Sequence, residues 1–209
     1  MTLIIGIFFR DNNSKKEIFF ASDGLEVKYQ DNKKVGQRED VEKIRKLAPR
    51  LCMGYAGKNA GFYKEVFDKL KNQTPNNIKK DLELFKKELQ KVIINSLRKN
   101  VQSPKKDRFI VVGAFGNRMV LIRASSDKNY EILEREVMPT PGIDVYIAGA
   151  TDEIQEKTNS ILKKRMGQIK NNDEIEKIIR DTISEIAAQY PNDINNHIFI
   201  RRLSRNFDS

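Results

Sequence analysis

The sequence predicts an α+β fold in one domain spanning residues 1–209, a four-layer αββα sandwich with helices on both outer faces of two sheets. Three observations predict it. Runs rich in β-branched and aromatic residues come in two blocks, and a pair of stretches with apolar steps of three and four follows each block. Strands and helices therefore do not alternate singly, which argues against a doubly wound parallel sheet. No linker, internal repeat or low-complexity segment divides the chain.

The first block opens with "TLIIGIFFR" (2–10) and "EIFFASD" (17–23), two strands joined by the polar turn "DNNSKK". In the first run Leu3, Ile4, Ile5, Ile7, Phe8 and Phe9 need burial on both faces, so the start of the chain is fixed to a sheet. Residues 24–42 are polar and mixed, and read as a loop with a short strand pair. "KIRKLAPRLCMGYAG" gives two more strands, broken at Ala48-Pro49, where no helix interior would tolerate the ring. "NAGFYKEVFDKLKN" is a helix stopped by "QTPNN". A second helix over about 76–99 carries Ile78, Leu82, Phe85, Leu89, Val92, Ile93 and Leu97 on one stripe.

The second block begins with "RFIVVGAF" and "RMVLIRA" around the turn Gly116-Asn117, followed by "YEILEREV" and "IDVYIAGA", split by "MPTPG". One helix then runs from about Thr151 to Met166, and another carries Ile175, Ile178, Ile179, Ile183 and Ile186 on one face. The last strand is about "NHIFIRRL".

Composition excludes several classes. Hydrophobic content of 39% with 33% charged residues fits a soluble globular chain. The opening run lacks a basic n-region and is followed at once by Arg10 and Asp11, so it does not read as a secretory signal, and no stretch is long enough to span a membrane. A single cysteine, Cys52, leaves no internal disulfide framework and fits a reducing cytoplasm. The net charge of +10 invites a nucleic-acid reading. Its excess lies on helical stretches where lysines alternate with glutamates and leucines, without an aromatic platform or reader motif, so solvated lysine faces are the better account.

Chemistry is narrowed by elimination. One histidine (His197) and one cysteine preclude a His/Cys zinc site within the chain, and "GYAGK" lacks the spacing of a phosphate-binding loop. No cofactor is expected. His197 reads as structural, in a late strand with alternating apolar neighbours, and Cys52 as a buried strand residue.

That leaves Thr2. If Met1 is removed, Thr2 carries a hydroxyl nucleophile and its own base, the α-amine, whose reference pKa of about 7.7–8.0 keeps a useful fraction neutral. Such a site needs a nearby cation to hold the amine's pKa down, an anion to position that cation, and a backbone N–H for the oxyanion. Asp23 in "ASDG", Lys43 in "EKIRKL" and Gly57 in "MGYAGKNAG" are candidates for these parts. Each also has an ordinary structural reading, as a turn residue, a surface lysine and a strand breaker.

Taken together, Thr2, "ASD" ending at Asp23, Lys43-Ile44 and "YAG" ending at Gly57 resemble the β-subunits of proteasomes. The likeness extends to the peptidase subunit of the bacterial two-component ATP-dependent protease, a relative among the N-terminal-nucleophile hydrolases. The fourteen-residue step from Lys43 to Gly57 fits that pattern without a gap. The resemblance implies Thr2 as nucleophile, Lys43 tuning the amine, Asp23 orienting Lys43 and the Gly57 N–H facing the oxyanion. It also implies substrate contacts at Val27, Tyr55 and Asn59, with Tyr55 lining the first specificity pocket. No helix precedes the first strand, so the likeness is to β-type subunits.

There are departures. The first hairpin is about five residues longer than usual, and Leu3 stands where threonine is frequent. The late "G-S-G" is replaced by "AGAT", leaving Gly149 and Thr151 as the candidate proton relay. The downstream "D-x-x-S-G" is replaced by "PNDINNH".

The expectation is a cytoplasmic threonine endopeptidase subunit that self-associates into rings, takes peptides or unfolded proteins as substrate, and works with a separate ATPase unfoldase. Membrane association is not expected. The rivals are a non-catalytic ring-forming relative, an N-terminal-nucleophile amidase for small amides, and a basic nucleic-acid-binding module.

Overall fold

In the computed structural model, β1 (Leu3–Arg10) is an inner strand from its first residue. Leu3, Ile4, Ile5, Ile7 and Phe8 are fully buried, because both faces of this run are covered by apolar neighbours. The structure describes residues 2–12, 15–30, 33–57, 60–97, 107–138, 140–167, 169 and 173–205.

Ten further strands appear in these residues: β2 (Lys16–Asp23), β3 (Glu26–Gln30), β4 (Lys33–Arg38), β5 (Ile44–Ala48), β6 (Leu51–Ala56), β7 (Arg108–Phe115), β8 (Arg118–Ser125), β9 (Ile132–Val137), β10 (Gly142–Gly149) and β11 (Ile198–Arg205). The helices are α1 (Ala60–Asn72), α2 (Leu82–Leu97), α3 (Asp152–Met166) and α4 (Glu174–Gln189). The fold is mixed α/β, with an antiparallel four-stranded sheet ordered β10-β1-β2-β11 and an antiparallel five-stranded sheet ordered β5-β6-β7-β8-β9. β3 and β4 form a separate ribbon, the strand pair expected between residues 24 and 42.

Alternation along the strands divides the core. Ile4, Phe8, Ile18 and Phe20 pack with Cys52, Ile110, Val112 and Leu121, joining the two sheets. The opposite faces of the same strands, through Leu3, Ile5, Ile7, Phe19 and Ala21, pack on Ile154, Ile179, Ile183 and Ile186 of α3 and α4. Met53, Phe109, Val111 and Ile122 on the far face of the five-stranded sheet pack on Phe62, Val66, Phe85 and Leu89 of α1 and α2.

One expected boundary moves. The helix anticipated over about 76–99 begins at Leu82, and Ile78 sits in a preceding 3₁₀ turn (Ile78–Lys80). Asp81 is the reason, since its carboxylate accepts the Leu84 N–H at 2.9 Å and caps the helix there. No helix among the described residues is long and apolar enough to cross a membrane.

Candidate active site

The β1–β2 ladder runs from Arg10 opposite Lys16 to Ile4 opposite Ser22. One step further a side chain replaces the backbone: the Asp23 carboxylate accepts the Leu3 N–H at 2.8 Å with Oδ1 and the Leu25 N–H at 3.0 Å with Oδ2. Lys43, just before β5, brings its ammonium to the same two oxygens at 3.1 and 3.2 Å. The backbone of Lys43 is itself pinned, because its carbonyl accepts the Tyr55 N–H at 3.1 Å.

Asp23 is fully buried and Lys43 is 7% exposed, so neither charge has bulk water to fall back on. Burial pushes the Asp23 carboxyl up from its ordinary value, opposed by the Lys43 ammonium and by the Leu3 and Leu25 N–H groups. Burial pushes Lys43 down, opposed by Asp23 and by the field of Glu26. The two groups act as a coupled unit in a low-dielectric setting. Oδ1 of Asp23 ties that unit directly to the peptide between Thr2 and Leu3.

Thr2 is 7% exposed and is crowded by Gly149 at the end of β10, opposite Leu3 in the ladder. Gly149 has φ of +75°, and a Cβ there would lie 1.9 Å from the Thr2 carbonyl oxygen and 3.1 Å from the Ala56 Cβ. Thr2, Ala56 and Gly149 thus meet, with Gly57 next in the chain after Ala56 and exposed.

A Cβ on Gly57 would lie 2.0 Å from Oδ1 of the fully buried Asp107 and 2.4 Å from the Tyr55 hydroxyl. Only glycine fits between these groups. The Tyr55 ring stacks on Tyr63 at 5.3 Å and tilts against Phe109 at 5.2 Å, so it is a buried wall rather than a mobile side chain.

Other candidates have other surroundings. Thr151 caps α3, its Oγ1 accepting the Ile154 N–H at 3.3 Å. Cys52 is fully buried between the sheets, and burial pushes its thiol up to about 11, which keeps it protonated and inert. His197 is exposed just before β11 and stacks on Phe199 at 5.1 Å. Val27 belongs to β3 by its backbone, and its side chain, like Asn59 and Met1, lies outside the described residues.

Two residues near the site carry no motif in the sequence. Asp107 follows "SPKK" and looks like one more surface charge. Asn195 lies in "PNDINNH", and its amide bonds Gly24, Glu39 and His197. A fully buried carboxylate or a three-way amide bridge arises only when distant segments converge.

No family model matches the chain, and no curated protein matches it either. Solved structures do share its fold. Anbu (ancestral beta-subunit) from Yersinia bercovieri aligns with a TM-score of 0.67 at 10% identity, over 100% of this chain and 84% of that one. A mutant of Anbu from Hyphomicrobium sp. strain MC1 aligns with a TM-score of 0.61 at 14% identity, over 97% of this chain and 89% of that one. These findings correct the resemblance drawn from the short motifs. The named likenesses are to Anbu, in place of proteasome β-subunits proper and the bacterial two-component peptidase, and at such identity they show the fold alone. Four short matches between Thr2 and Gly57 are too few to carry family membership.

Proposed function

We propose that this chain is an N-terminal-nucleophile hydrolase that cleaves peptide bonds through Thr2 after removal of Met1. The observation that supports this reading most is Oδ1 of Asp23, which binds both the Leu3 N–H and the Lys43 ammonium. The same oxygen thereby couples the ion pair to the peptide that follows Thr2.

In the proposed reaction the Thr2 amine takes the hydroxyl proton as Oγ1 attacks the substrate carbonyl carbon. The oxyanion formed is stabilised by the Gly57 N–H, and the amine passes its proton to the leaving amine as the C–N bond breaks. Water then cleaves the Thr2 ester by the same route in reverse. Lys43 disfavours protonation of the amine by like-charge repulsion, and Asp23 holds Lys43 in place. Gly149 lets β10 approach Thr2, and the Thr151 hydroxyl is spent on its helix. Val27, Tyr55 and Asn59 would contact an extended substrate. In this reading the layers complete an αββα sandwich, copies associate into rings in the cytoplasm, and a separate ATPase delivers unfolded protein.

The second reading is a non-catalytic scaffold of the same fold, which the capping role of Thr151 favours because no relay hydroxyl then stands after β10. Intact mass and peptide turnover of the parent, Thr2→Ala and Thr2→Ser decide between them. The expected result is a mature chain lacking Met1, no turnover in Thr2→Ala and residual turnover in Thr2→Ser. Equal turnover in parent and Thr2→Ala ends the catalytic reading, and small-amide turnover without peptide cleavage redirects it to an amidase.

A further inference from the structure

The Asn195 side chain ties its own segment, late in the chain, to two early ones, at Gly24 and at Glu39. Its Oδ1 accepts the Gly24 N–H at 3.0 Å and the His197 N–H at 3.3 Å, and its Nδ2 donates to the Glu39 carbonyl at 2.9 Å. Gly24 is the residue after Asp23, and Glu39 opens the short loop that delivers Lys43. The amide therefore clamps the segment carrying the carboxylate to the segment carrying the ammonium.

The junction is tight for an independent reason. A Cβ on Gly24 would lie 2.5 Å from the Glu39 carbonyl oxygen and 3.0 Å from that of His197. The Gly24 carbonyl also accepts the Val41 N–H at 3.0 Å, so the two segments run against each other on the way to Lys43. The amide supplies a donor for one segment and an acceptor for the other, which no carboxylate or aliphatic side chain of that size can do.

We propose that Asn195 is a positioning residue that sets the Asp23–Lys43 geometry, and so the protonation of the Thr2 amine, from outside the site; this rests on the Thr2 reading above. The charged groups that act on the Lys43 ammonium are Asp23 and Glu26, and the backbone partners of the clamp belong to Gly24, Glu39 and His197. Glu39 is exposed and its carboxylate accepts from Gln37 at 2.6 Å, so its carbonyl alone faces the clamp.

The test is kcat and KM for a peptide across roughly pH 6 to 9.5, spanning the amine's reference range, in the parent, Asn195→Ala, Asn195→Asp and Asn196→Ala, with thermal melting alongside. In Asn195→Ala kcat should fall about 10- to 100-fold with KM nearly unchanged, and the acidic limb should move to higher pH, because misplacing a charge by a fraction of an ångström weakens its effect on the amine. Asn195→Asp keeps the acceptor for Gly24 and loses the donor to Glu39, so it should fall between, and it carries the test if Asn195→Ala does not fold. Asn196→Ala, exposed next door, should match the parent. A folded Asn195 variant with parental kcat and limb overturns the clamp alone. A parent that keeps Met1, or turnover that survives Thr2→Ala, overturns the Thr2 reading and this inference together.

Discussion

Gly149 and the Thr2 carbonyl are so close that a single methyl group would collide, with a notional Cβ 1.9 Å from the oxygen. The backbone of Gly149 is also in the left-handed region, at φ of +75°. Gly149→Ala should therefore cost about 1–2 kcal/mol in backbone strain and push β10 away from the start of β1. Urea denaturation should show the loss, and peptide turnover should fall further than stability does. A variant as stable and active as the parent would mean that β10 and Thr2 have room to spare.

The Asp23–Lys43 pair should be costly to break from one side. Lys43→Ala strands a fully buried carboxylate, a change worth about 3–5 kcal/mol, and under the proposed Thr2 mechanism it also abolishes turnover. Adding Asp23→Asn to that background should recover part of the stability and none of the turnover. Losses under about 0.5 kcal/mol in Lys43→Ala, read from the denaturation midpoint, would mean that the Asp23 carboxylate does not depend on the Lys43 ammonium.

Thr151→Ala separates two roles for one hydroxyl. As a helix cap it should cost about 0.5–1 kcal/mol and leave turnover within twofold of the parent. As a proton relay it would reduce turnover at unchanged stability, and that outcome would displace the capping account.

The Ser22 hydroxyl is fully buried and its oxygen has no hydrogen-bond partner among the described residues. Ser22→Ala removes a desolvated polar group without opening a large cavity, so the melting midpoint should rise, by the equivalent of about 1 kcal/mol. A lower midpoint would reveal a partner for that oxygen.

Cys52 gives a pH dependence with a definite sign. Its thiol sits near 11 in the folded chain against a reference value of 9.0. Below the lower value both states are protonated and the full contribution is present. Between the two values the unfolded chain releases its proton and the folded chain does not, so stability falls as pH rises, by about 2–3 kcal/mol in all. The drop between roughly pH 8.5 and 10.5 should be smaller in Cys52→Ala than in the parent. Parallel curves would mean that the thiol ionises freely in the fold.

The sequence made the local elements legible because their causes are local. The β1 run, the Ala48-Pro49 break and the isoleucine stripe of α4 each carry their own signal. Asp23, Lys43 and Gly57 could be singled out because they sit at strand ends in short recognisable strings. The cap at Asp81 was readable too, as a carboxylate three residues before an N–H that needs it, but the apolar stripe ran past it and hid the boundary. Thr151 before two acidic residues was likewise a helix start. What no local string encodes is convergence. Nothing near Gly57 announces Asp107, and nothing near Lys43 announces Asn195.

The ladder also constrains when the site can exist. Leu3 pairs with Gly149, and Asp23 pairs with Ile198, so both neighbours that complete the first hairpin are synthesised long after it. A growing chain therefore carries β1 and β2 with two sticky faces and open edges until its second half emerges, a condition that favours slow closure and help from chaperones. Under the proposed Thr2 mechanism the same delay is protective: Thr2 has no wall at Gly149 until β10 docks, so a ribosome-bound or truncated chain would hold the nucleophile without its surroundings.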